Sequence, residues 1–246
     1  MIIDRLRYEL KLAGKMLIVV PGTVILVIGL FAVLVHFLQQ SPAHALLAGL
    51  EMFLPLAAGI VAATLVSQDA ALELQLTMPR KYHITGLLRL LLIFCWTTCL
   101  AVFWLVGMLL LNMLYTPAFT QVWPQPVRVL TLQLLWFAPL LWFVAMGACL
   151  ALLTQSRSAS GALVGGLWLL NILFVSIFAS IAWLRPILLF PATLIIYPAT
   201  HVPAADFTTY WLTTRFELLA GALILLALDW LLLRDTERLL KGATEE

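Results

Sequence analysis

The chain of 246 residues is 63% hydrophobic and only 11% charged, with a mean hydropathy of +1.06. A soluble domain carries about a quarter charged residues, so a single water-facing globule is excluded and most of the surface must meet lipid. The net charge of +2 is spread between apolar runs rather than gathered on one face, so it gives no sign of a nucleic-acid partner and none is expected.

Residues 1–15 predict an interfacial amphipathic helix. Ile2, Leu6, Leu10, Ala13 and Leu17 recur at helical spacing, with Asp4, Tyr8, Lys11 and Lys15 opposite. Such a helix lies in the headgroup region with its apolar stripe among the acyl chains. The apolar run 16–38 follows. A secretory signal core is only about 7–15 residues long, so this run is expected to be a retained span despite the cleavage-like Ala43-His44-Ala45 behind it.

The second span covers about 46–66, with Glu51 near its outer end and Pro55 inside it. A polar stretch, 67–83, leads to a long third span within 84–114, then to a Pro- and aromatic-bearing loop at 115–126. The fourth and fifth spans, about 127–153 and 159–183, are joined by the tight polar turn 154–158. Gly161 and Gly165 form a GxxxG pair, a pattern that permits close helix packing in lipid. Residues 184–211 are cut by Pro186, Pro191, Pro198 and Pro203 into runs too short to span. Irregular backbone at membrane depth survives only inside protein or around a cavity, so this part is read as a re-entrant or interfacial outer segment. A last span, about 212–233, precedes a charged tail.

With the N-terminus in the cytoplasm, eleven Lys and Arg residues fall inside and three (Arg128, Arg185 and Arg215) outside. That bias obeys the positive-inside rule and favours six spans with both termini cytoplasmic. The expected fold is therefore an all-α integral membrane protein, one transmembrane domain over 1–246.

Catalytic motifs are missing from the sequence. It holds no G-x-x-x-x-G-K phosphate loop, no H-E-x-x-H and no G-x-S-x-G. His36, His44, His83 and His201 are scattered, and Cys95, Cys99 and Cys149 sit in apolar runs where small packing residues are expected. An ionisable residue in a span costs about 2.5–3.5 kcal/mol at the bilayer centre. Glu51, Arg215, Glu217 and Asp229 all fall near span ends, where they are expected to snorkel or to pair, Glu51 with an arginine. Asn112, Gln133 and Asn171 are candidates for interhelical hydrogen bonds.

The polar stretch 67–83 is the place to look for a soluble partner. Read as a short helix, it sets Asp69 and Glu73 on one face in its first turns, with Pro79, Arg80 and Lys81 at its end, as the helix dipole prefers.

Two patterns here, Glu51…Leu54-Pro55-Leu56-Ala57-Ala58-Gly59-Ile60 and Asp69-x-x-x-Glu73-Leu74-x-x-x-x-Pro79, resemble the membrane subunits of type-2 ABC exporters. Ala71 and Leu72 stand where a glycine is often found in that family. The resemblance covers the whole chain and implies a permease subunit with no ATPase site of its own. Two soluble ABC ATPase subunits would carry the ATP and Mg, and a second permease, identical or related, would complete the complex in the lipid bilayer of a bacterial cytoplasmic (inner) membrane. It implies that Asp69, Glu73, Leu74, Pro79, Arg80 and Lys81 form the ATPase-coupling loop. Glu51 and the segment 186–203, with Pro191 and Pro198, would form an outer gate. No cofactor or metal is expected on this chain, and the cargo is expected to be amphipathic or hydrophobic. Two other classes stand beside this one: a membrane enzyme or accessory subunit with an outer-side metal or polar site, and a non-transporting scaffold or immunity subunit.

Overall fold

The fold is that of a computed structural model, which describes residues 14–38, 41–67, 82–111, 113, 123–191, 193 and 204–234. The described residues form helices joined by short turns, with no strand among them. This is an all-α membrane protein. Four of its helical stretches, Met16–Phe37, Ala43–Val66, His83–Leu110 and Gln125–Thr154, are long and apolar enough to cross a bilayer. The amphipathic stretch 1–13, most of the coupling loop and the charged tail lie outside the described residues.

Helix α1 (Met16–Phe37) has Lys15 as its N-cap and follows Gly14, whose φ of 65° is a left-handed conformation that glycine adopts cheaply. The next crossing is composite: α2 (Ala43–Ala48), a π-helical turn (Gly49–Phe53) and α3 (Leu54–Ser67). Pro55 accounts for the wide turn. It has no amide to give to the carbonyl four residues back, at Glu51, and the ladder reforms with Leu54 N–H donating five residues back to Gly49. Helices α4 (Tyr82–Leu110) and α5 (Gln125–Thr154) follow. Gln155 ends α5 with φ 51°, its amide donating to Ala151, and Ser156 caps α6 (Arg157–Leu173) by accepting from the amide of Ala159.

The stretch 159–183 differs from the continuous helix expected there. It breaks at Phe174 into α6 and the short α7 (Val175–Ser180), and a 3-10 turn, Ala182–Ile187, follows. The last helix, α8 (Ala204–Leu232), begins eight residues earlier than the predicted 212 and takes in part of the expected outer segment. The break at Phe174 was not marked in the sequence, because apolar residues run through it, whereas the start of α8 directly follows Pro203, a helix-start signal that the hydropathy reading passed over.

The core sits where α3 crosses α5, the most extensive helix pair in the molecule. Gly59 and Gly147 set the distance there. A Cβ on Gly59 would come within 2.8 Å of the Phe143 carbonyl oxygen, and a Cβ on Gly147 would collide with the carbonyl of Gly59. Between apolar helices in an apolar solvent, this close backbone packing supplies attraction that hydrophobicity cannot. Helix α8 packs on the other side of α5. By contrast α1 is peripheral: 17% of its apolar window is buried, against 72% for the α2–α3 crossing.

Candidate functional site

One set of buried polar groups gathers where the π turn, the segment after the 3-10 turn and α8 meet. Leu188, Leu189 and Phe190 have no regular structure yet are at most 1% exposed. A chain interrupted by Pro186 and Pro191 cannot satisfy its own peptide groups, and buried peptide groups must find partners elsewhere. They find side chains. Leu189 N–H donates to Asn171 Oδ1 of α6 at 3.0 Å, and Arg215 Nη1 of α8 donates to Leu189 O at 3.1 Å. Thr193 donates to Glu51 Oε2 from both its amide and its hydroxyl, each at 2.6 Å, while its carbonyl oxygen lies 3.1 Å from His44 Nε2.

The charges close the network. Arg215 Nη2 donates to Glu51 Oε1 at 3.1 Å, and both side chains are fully buried. Glu51 therefore accepts on both oxygens, one from a guanidinium and one from Thr193. Buried charges persist only when paired and hydrogen-bonded in this way. The ring of Phe190 stacks on Phe143 of α5, centroids 5.9 Å apart, and holds the irregular segment against the core. Loss of one bond within the π turn frees backbone geometry at the residue that carries the carboxylate, a pattern frequent at functional sites.

Of the residues singled out in the sequence, Glu51 and buried Pro191 are thus brought into one neighbourhood, a single residue of chain separating Pro191 from Thr193. Pro198, Asp69, Glu73, Leu74, Pro79, Arg80 and Lys81 lie outside the described residues. Gly161 and Gly165 face open space, with nothing among the described residues within 4 Å of an added Cβ. Snorkelling is corrected for three residues: Glu51, Arg215 and Asp229 have no exposed surface at all. Glu51 and Arg215 use the alternative, pairing. Asn171 makes its interhelical bond, but Gln133 turns inward on its own helix, accepting from Trp136 Nε1 and donating to Val129 O.

Thr193 was missed, and so was the role of Leu189 as a backbone partner. Neither carries a charge, and the contact joins residues 142 positions apart in the chain. The available signal was the pairing of one acid and one base on the same predicted side of the membrane. Cys95 and Cys99 are exposed and Cys149 is buried, all three unbridged. Among the described residues no three His, Cys, Asp or Glu side chains converge as a metal centre requires. No family model, no curated protein and no solved structure matches the chain.

Proposed function

We propose that this chain is the permease subunit of a type-2 ABC exporter, moving an amphipathic or hydrophobic substrate across the cytoplasmic membrane. In this reading ATP is hydrolysed on a separate soluble subunit, and the chain crosses the membrane six times with both termini inside. Helices α6 with α7, and α8, supply the last two crossings. Helix α6 alone has 17 residues, about 25 Å at 1.5 Å per residue, and α7 extends it. Helix α8 has 29 residues and carries Arg215, Glu217 and Asp229, of which Arg215 is neutralised by Glu51.

The observation that carries the reading is the place of Glu51. The acid that opens the family-like Glu51…Gly59 pattern is the residue that ties the second crossing to the proline-broken segment and to the last helix. Such a tie suits a gate: it is one concentrated set of polar contacts in an otherwise apolar bundle, able to separate as a unit when helices rock. The coupling loop would transmit that motion, with Asp69 and Glu73 gripping the ATPase and Arg80 and Lys81 held at the headgroups. The apolar interior supports an apolar or amphipathic cargo.

Purification of the tagged chain from its own membrane tests this. A soluble ATPase with a G-x-x-x-x-G-K loop is expected to accompany it and to be lost in Glu73→Arg. Purification without any ATPase, or a Glu73→Arg protein that binds and stimulates one fully, contradicts the reading.

A further inference from the structure

A groove of about 460 Å³ lies on the flank of the bundle, between the second half of α1, the start of α2 and the second half of α4. Small residues make its floor: Gly29 and Ala32 on α1 and Gly107 on α4. A Cβ on Gly107 would meet nothing within 4 Å, and one on Gly29 would only touch the Trp104 ring at 3.7 Å. The walls are Phe37, Phe103 and Trp104. Phe37 and Phe103 are 77% and 74% exposed, so the groove opens sideways rather than into the bundle. The one polar atom of the Trp104 wall is already used, since its indole N–H donates to Leu46 O at 3.0 Å. Away from His36 at one end, the lining side chains are apolar.

We infer that this groove binds one acyl chain of a bilayer phospholipid. Depth is the first reason. From Gly29 to Phe37, and from Phe103 to Leu111, is eight residues, about 12 Å along each helix. That matches one leaflet, about half of the 30 Å hydrocarbon core. The groove starts near the middle of α1 and ends where α1 ends, so it runs along the membrane normal as an acyl chain does. The second reason is the end of the groove. His36 and Pro42 line it there, placing an imidazole at headgroup depth above an otherwise apolar slot. The third is dispersion: an unfilled groove leaves aromatic and methionine surface without partner atoms, whereas a seated chain recovers those contacts. A phospholipid from the adjacent leaflet reaches this slot without any opening of the bundle, and the inference does not depend on the chain being a transporter.

The test uses the whole protein in nanodiscs of phosphatidylethanolamine and phosphatidylglycerol, with a trace of phospholipid bearing a photoactivatable diazirine along one acyl chain. After illumination, adducts are mapped by peptide mass spectrometry. They are expected to concentrate on 29–37 and 103–113. Gly107→Phe, which fills the groove from α4, should abolish them, and Gly29→Leu should do the same from α1. Gly161→Phe is the control, because it adds equal bulk at an equally open position on α6, and it should leave the adducts unchanged. Even labelling of all lipid-facing helices, or labelling that survives both filling variants, overturns the inference. So does a groove without adducts whose α1 and α4 instead cross-link to a second copy of the chain.

Discussion

Glu51 and Arg215 form the most consequential pair in the molecule, because each neutralises a charge that neither water nor lipid can reach. Removing one partner of a buried pair leaves the other uncompensated and costs about 3–5 kcal/mol, whereas replacing both with apolar residues is often neutral or better. Glu51→Ala and Arg215→Ala should each lower the thermal midpoint of the detergent-solubilised protein strongly. Glu51→Met with Arg215→Met should recover most of the loss. Equal destabilisation by single and double replacements would show that the pair is not coupled. Asp229 is the opposite case. It is fully buried on α8, and among the described residues its carboxyl group has only the weak S–H donor of Cys149 beside it and no charged partner. An unsatisfied buried polar group costs about 1–3 kcal/mol, so Asp229→Leu should raise the thermal midpoint. A fall would mean that the carboxylate has a partner that holds it in place.

At the scale of elements, the helices were largely legible because long apolar runs in lipid have few alternatives: peptide groups must be satisfied within the segment. The apolar runs read at 16–38, 46–66, 84–114 and 127–153 overlap four helical stretches long and apolar enough to cross a bilayer. What the pattern hid was where a helix changes type. Pro55 was visible, but the π turn it induces at 49–53 follows from which carbonyl loses its donor, and that depends on the whole ladder. The break at Phe174 has no proline or glycine beside it in the sequence. In the candidate site, Glu51 and Asn171 could be marked by chemistry alone, being polar in apolar surroundings. Thr193 and the Leu189 backbone could not, since threonines and peptide groups occur throughout the chain. The α3–α5 crossing was similarly hidden, because Gly59 and Gly147 are 88 positions apart and neither lies in a GxxxG pattern. At the pair that does, Gly161 and Gly165, an added Cβ would meet nothing within 4 Å among the described residues. Gly147→Leu should prevent α3 from approaching α5 and abolish recovery of folded protein by size-exclusion chromatography. Gly161→Leu should leave recovery unchanged, and equal recovery of both would place the critical contact elsewhere.

At the scale of the molecule, two polar features matter most to the proposed function. One is the Glu51–Arg215–Thr193 network, which locks the irregular segment to two helices. The other is the stretch 67–83, whose acids and basic pair read as a docking surface and which lies largely outside the described residues. The proposed transport cycle links the two: an ATPase moves the loop, and the helices carry that movement to the network. The most direct measurement is the ATP hydrolysis rate of the co-purified soluble subunit in liposomes, with wild-type permease, Glu73→Arg and Glu51→Gln compared. The account predicts that Glu73→Arg fails to bind the ATPase, while Glu51→Gln binds it normally but alters the permease-dependent hydrolysis rate. A hydrolysis rate indifferent to the permease, or unchanged by both substitutions, would contradict it.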